Sequence, residues 1–250
     1  MLLIKQLIKS AVRWTGFRFY RMPPEKFNGP DMEYDLFVAH GFAPWLVDQS
    51  FREAYSIIEG ATLVDRYRAY ELWSLVSQSL SLAPGDYLEV GTWRGGTGCL
   101  IARRVKEMNP GARVFLADTF AGIVKAGAID GGYVDGAHDD ASVRDVEALA
   151  SRMAVDVDVL QGIFPDDTGG QIENRKFRLC HIDVDVYQSA KDVLDWVWPR
   201  MVSGGIVVFD DYGFNSCPGV TRLVNEEAGK SDRMFLHNLN GHAIFIKMEM

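Results

Sequence analysis

From Tyr87 onward, short apolar runs alternate with longer stretches of helical period, and no other feature of the chain constrains its fold as tightly. Residues 87–90, 114–117, 157–160, 179–184 and 206–209 read as strands. Helical spacing of apolar side chains fills the stretches between them, at 95–108, 142–153 and 187–201, with further helices expected at 63–81 and 218–228. Pro84-Gly85 and Asn109-Pro110-Gly111 punctuate the pattern. Strands that alternate with helices pair in parallel, because each helix carries the chain back across the sheet. The expected fold class is therefore α/β, a doubly wound, mostly parallel sheet. Residues 233–239 and 242–247, joined through Asn240-Gly241, add a C-terminal antiparallel hairpin. Residues 119–140 are rich in Gly and Asp and read as a long functional loop. The chain divides into an N-terminal helical extension or lid over 1–60 and a main domain over 61–250.

Charge narrows the partners. Lys and Arg number 26 against 34 Asp and Glu, a net charge of -8, which disfavours nucleic acid as a partner. Three cysteines without metal-ligand spacing fit a reducing cytoplasm better than a disulfide framework. Residues 1–22 depart from this balance. They carry Lys5, Lys9, Arg13, Arg18 and Arg21 with no acid, and Leu3, Ile4, Leu7, Ile8, Ala11 and Trp14 recur at helical spacing. An amphipathic helix is expected there, stopped by Pro23-Pro24. Lys5 and Lys9 interrupt the apolar run that a signal peptide needs. Such a helix packs on its own domain or on a second copy in a homo-oligomer, or makes weak contact with a membrane surface at the inner face.

The first strand runs into a glycine-rich turn, Glu89-Val90-Gly91-Thr92-Trp93-Arg94-Gly95-Gly96-Thr97, which opens a helix. The spacing matches neither the dinucleotide fingerprint nor a P-loop. Gly91 lets the backbone pass close to a ligand, and Gly95 and Gly96 bring up a helix start that favours a carboxylate. An amino acid end is thereby expected at Glu89 to Gly96, with Thr92 inside the turn and Glu89 taking the amino group. S-adenosylmethionine (SAM) has such an end. Asp118 closes the second strand, where a carboxylate suits the ribose diol of SAM or of NAD.

Two further strands end in acids, at Asp183-Val184-Asp185 and at Asp210-Asp211. Ligands of open α/β sheets sit at the carboxyl ends of strands, so Asp183, Asp210 and Asp211 are expected to converge. Clustered carboxylates repel, and a hard divalent cation, Mg²⁺, is their natural neutraliser. Asp183 and Asp185 alternate, so they face opposite sides unless the strand has already ended.

Together these stretches resemble the macrocin O-methyltransferase (TylF/MycF-like) family of class I, Rossmann-like methyltransferases. Asp118-Thr119-Phe120-Ala121-Gly122, Ile163-Phe164-Pro165-Asp166, His181 to Ser189, Gly204 to Gly213 and Cys217-Pro218-Gly219-Val220 carry the likeness, in order, over roughly residues 62–247. The resemblance implies a SAM- and Mg²⁺-dependent O-methyltransferase acting on a hydroxyl of a sugar or glycosylated small molecule, such as a natural product or glycan intermediate. It implies Asp183, Asp210 and Asp211 as metal ligands and Asp183 or Asp185 as the base. It implies Glu89, Gly91, Asp118 and Ser142 as SAM contacts. A catechol-type phenol O-methyltransferase, or a binding module that keeps the fold without turnover, are the alternatives.

Overall fold

The computed structural model describes residues 42–249. The helix expected over 1–22 lies outside them. Seven strands form one sheet, β1 (Asp86–Val90), β2 (Val114–Asp118), β3 (Asp158–Gln161), β4 (Phe177–Ile182), β5 (Met201–Phe209), β6 (Arg233–His237) and β7 (Ala243–Lys247), in the order β3-β2-β1-β4-β5-β7-β6. The first five are parallel, and β7 runs antiparallel between β5 and β6. Six helices cover it: α1 (Gln49–Ile58), α2 (Arg66–Gln78), α3 (Gly96–Met108), α4 (Val143–Met153), α5 (Tyr187–Val197) and α6 (Pro218–Glu227).

Central strands buried on both faces explain the near-continuous apolar runs in the sequence. On one face Tyr87, Leu116, Leu179 and Val208 pack under α1 to α4. On the other, Leu88, Phe115, Cys180 and Val207 pack under α5 and α6. Within the described part of 1–60, α1 buries Phe51, Ala54 and Ile58 in the same core as Trp73 of α2 and Leu100 of α3. Asp48 caps α1, Asp65 caps α2 and Ser142 caps α4, each accepting a hydrogen bond from a first-turn N–H.

Two boundaries differ from the sequence reading. Strand β4 ends at Ile182, so Asp183 and Asp185 lie beyond it, and Asp185 takes a left-handed backbone (φ 62°). Strand β5 begins at Met201, not at Ile206, because Trp198-Pro199-Arg200 closes α5 in a short 3-10 turn. Phe177 pairs Met201 and Leu179 pairs Ile206, so two steps of β4 face five of β5. The surplus forms a bulge at Gly204, whose φ of 74° favours glycine.

The sheet order reverses between β1 and β4, and there the strand ends open a cleft. Gly91 N–H donates to Ala117 C=O and Asp183 N–H to Val90 C=O, both at 2.9 Å, while Asp210 N–H donates to Ile182 C=O at 2.9 Å. These bonds lace the four strand ends into one rigid rim.

Candidate active site

Gly91 sets the entry to the cleft. A Cβ there would stand 1.6 Å from the Asp183 carbonyl oxygen, and its φ is 89°. Only glycine lets β1 turn so close to the end of β4. Trp93 follows at φ 47° and Phe120, beyond β2, at φ 51°. Both strained peptides are held by one side chain. Asp118 Oδ2 accepts the Trp93 N–H at 2.7 Å, and Oδ1 accepts the Phe120 N–H at 2.8 Å. Asp118 thus clamps the two turns while lining the cleft.

The remaining turn residues divide. Gly91, Thr92, Trp93 and Thr97 line the cleft, whereas Glu89, Gly95, Gly96 and Ser142 do not. Glu89 is wholly buried. It accepts the Thr92 hydroxyl at 2.5 Å on Oε2 and meets His181 Nδ1 at 2.9 Å on Oε1, so it braces the turn from beneath instead of facing a ligand. Gly95 N–H is spent on Thr92 C=O and Gly96 N–H on Ala61 C=O. A Cβ on Gly96 would fall 2.5 Å from that carbonyl, so this glycine serves close packing. Ser142 caps α4 and hydrogen-bonds Asp145. Glu89, Gly95 and Gly96 thus shape the turn, and Ser142, named through the family resemblance, caps a neighbouring helix.

The acid cluster assembles as expected. Asp183, Asp185, Asp210 and Asp211 all line the same cleft as Asp118. Carboxylate oxygens of Asp183, Asp210 and Asp211 lie within 4.8 Å of one another, a donor set that fits a hard divalent cation. Arg68, from α2, enters the cluster with Nη1 2.5 Å from Asp210 Oδ2 and 3.4 Å from Asp211 Oδ1. Its Nε donates to Asp65 at 2.9 Å. His242 Nε2 stands 2.9 Å from Asp210 Oδ1. The sequence carried no sign of either residue, since both reach the cluster only through tertiary packing.

These partners split the acids electrostatically. Burial raises the pKa of every member, but for Asp210 the contacts with His242 and Arg68 more than offset it and hold the carboxyl well below the usual range. Asp211 is pushed up to about 8, by burial first and then by the Asp210 charge. Asp183 is raised well above the ordinary value by burial and the surrounding acids. Asp185 is raised by burial, partly countered by a hydrogen bond from Tyr133. Cys217 Sγ also donates to Asp185, at 3.8 Å.

The long loop supplies the outer wall. Ile123, Val124, Tyr133 and His138 line the cleft, with Leu63 and Phe164 opposite. Asp130, buried in this loop, accepts the Tyr187 N–H at the start of α5 and the Gly127 N–H, both at 2.7 Å. Lys125 ties the loop to Asp166 and Asp192.

Residues 56–237 match the model of the macrocin-O-methyltransferase (TylF) family. The 8-demethyl-8-(2,3-dimethoxy-alpha-L-rhamnosyl)-tetracenomycin-C 4'-O-methyltransferase of Streptomyces olivaceus is 30% identical over 173 residues, covering 65% of this chain and 65% of that protein. The mycinamicin III 3''-O-methyltransferase of Micromonospora griseorubida is 29% identical over 188 residues, covering 69% and 73%. The chain spans about two thirds of the length of these curated relatives. Among solved structures, the O-methyltransferase NovP superposes with a TM-score of 0.62 at 24% identity, over 75% of this chain and 82% of that one. These structural likenesses establish the fold.

Proposed function

The chain belongs to the macrocin O-methyltransferase family, and we propose that it moves a methyl group from SAM to a sugar hydroxyl of a glycosylated small molecule, with Mg²⁺ at the acid cluster. One observation carries the reading: a single cleft joins Asp118 and the Gly91 turn to Asp183, Asp210 and Asp211 on neighbouring strand ends. The names of the relatives, which act on a rhamnosyl tetracenomycin and on mycinamicin III, support the sugar acceptor.

Each residue then has a task. Asp118 oxygens are fixed by backbone N–H groups, and each keeps a lone pair for a ribose hydroxyl. Gly91 admits the cofactor to the strand ends, and Thr92 and Thr97 offer hydroxyls beside it. Asp183, Asp210 and Asp211 would hold Mg²⁺, which when bound acidifies a coordinated hydroxyl and orients a neighbouring diol. Asp185, outside that donor set, takes the proton of the acceptor hydroxyl, helped by a raised pKa and by Tyr133 and Cys217, which fix its carboxylate. Five carboxylates line the cleft with the guanidinium of Arg68, and a dication together with a sulfonium would offset much of the excess. Leu63, Val64, Ile123 and Phe164 give the cleft apolar walls that exclude water from the reacting centre.

Isothermal titration tests the cofactor. S-adenosylhomocysteine (SAH) should bind and NAD should not. Tight NAD binding without detectable SAH binding would overturn the assignment.

A further inference from the structure

Behind the acid cluster, on the side away from the cleft lining, stands a buried ring that the proposed reaction leaves without a task. His242 has no solvent exposure. Its Nδ1 lies 2.5 Å from Glu71 Oε2 on α2, and its Nε2 lies 2.9 Å from Asp210 Oδ1. We propose that His242 is a positioning residue for Asp210, and that Glu71 and the hairpin turn hold it there. The inference rests on Asp210 being a metal ligand, as proposed above.

Register brings the two side chains together. Phe209 pairs Ala243 in the antiparallel β5–β7 ladder, so the first residue after β5, Asp210, stands beside the residue before β7, His242. The contact is therefore built by the C-terminal hairpin, although the two residues are far apart in sequence. Glu71 fastens the ring from the other side. It also accepts hydrogen bonds from the side-chain amides of Asn238 and Asn240, the latter at 3.2 Å. Asn240 Oδ1 in turn accepts the His242 backbone N–H at 3.1 Å. Ring, turn and helix are thus tied at one point.

Asp210 is 4% exposed; Arg68 hydrogen-bonds Oδ2, while His242 Nε2 stands 2.9 Å from Oδ1 as an ion-pair neighbour outside hydrogen-bond alignment. With one oxygen bonded and the ring packed against the other, its carboxylate cannot rotate freely, and its free lone pairs keep one direction relative to Asp183 and Asp211. Partners of this outer kind set the orientation of metal ligands, and their loss typically costs about 10- to 100-fold in metal affinity.

The two ends of the ring can be tested separately. In His242→Asn the amide reaches the Nδ1 position and preserves the link to Glu71 but not the one to Asp210. In His242→Gln the amide reaches the Nε2 position and can still donate to Asp210. Binding of Mn²⁺ and of SAH is measured by titration calorimetry on the full chain. His242→Asn should lose at least about tenfold in Mn²⁺ affinity, His242→Gln about threefold or less, and both should bind SAH as the unaltered protein does. A purely structural role for the ring would weaken both ligands in both variants, and that result overturns the proposal. Should His242→Asn fail to fold, Glu71→Ala, which removes the acceptor that holds the ring, should weaken Mn²⁺ binding and spare SAH. Unchanged Mn²⁺ affinity in His242→Asn, or in Glu71→Ala where that variant takes its place, overturns the positioning role alone. An unaltered protein that binds no Mn²⁺ overturns the metal reading as well.

Discussion

Replacing Asp118 by Asn separates the two tasks assigned to that side chain. Each carboxylate oxygen now accepts one backbone N–H, from Trp93 and from Phe120. An amide keeps one acceptor and turns an NH₂ group toward the other N–H, so one turn loses its clamp. A hydrogen bond to a charged group contributes about 1.5–3 kcal/mol. Because Asp118 is only half-buried, the lower end, about 1.5 kcal/mol of stability, is the better figure. Relaxation of the released turn would recover part of this, since the left-handed backbones of Trp93 and Phe120 cost about 1–2 kcal/mol each, so the loss of stability does not exceed that figure. The ribose loses one charge-assisted acceptor of similar strength, which is about a tenfold to thirtyfold fall in SAH affinity. Thermal unfolding and titration calorimetry with SAH read the two effects independently. A variant that melts earlier yet binds SAH like the original would show Asp118 to be a turn clamp only, and would refute its place in the cofactor site.

Three further outcomes can be measured. Gly91→Ala should fail to fold or lose SAH binding altogether, because its Cβ would overlap the Asp183 carbonyl; a soluble variant with near-original SAH affinity, seen by calorimetry, contradicts the close crossing of β1 and β4. Asp185→Asn should lower kcat by about 10²- to 10⁴-fold with SAH and Mn²⁺ affinities preserved, as expected for loss of a general base; an unchanged kcat in steady-state assays removes Asp185 from proton transfer. Flotation with anionic vesicles, with and without residues 1–22, separates the two readings of this basic, amphipathic segment: binding lost on their removal assigns it to the membrane surface, and equal absence of binding in both leaves packing as its role.

The fold was legible because burial on two faces writes short apolar runs, and because Pro84-Gly85, Asn109-Pro110-Gly111 and Asn240-Gly241 mark where the chain turns. The start of β5 was not, since the bulge at Gly204 and a Gly-Gly pair that reads as a turn hide five residues of strand, 201–205. At the site, acids at strand ends were visible because topology alone brings strand ends together. What each acid touches was not. Glu89 reads like a ligand-facing residue, but strand alternation places it beneath α3, where Thr92 and His181 occupy both its oxygens. Arg68 and His242 escaped notice for a related reason. Nothing local distinguishes a helix arginine or a hairpin histidine that meets Asp210 from one that meets solvent, and only the packing of α2 and β7 decides it.

The central claim, methyl transfer to a sugar hydroxyl at a metal-held acid cluster, is tested most directly by mass spectrometry of a panel of glycosides offering neighbouring hydroxyls, with simple catechols alongside. The panel is incubated with SAM carrying a deuterated methyl group and Mg²⁺, with and without excess EDTA. The labelled methyl should appear on a sugar oxygen of at least one glycoside with Mg²⁺, and EDTA should abolish it. Labelling that persists undiminished in EDTA, or that falls on catechols while every glycoside stays unmodified, would contradict the account.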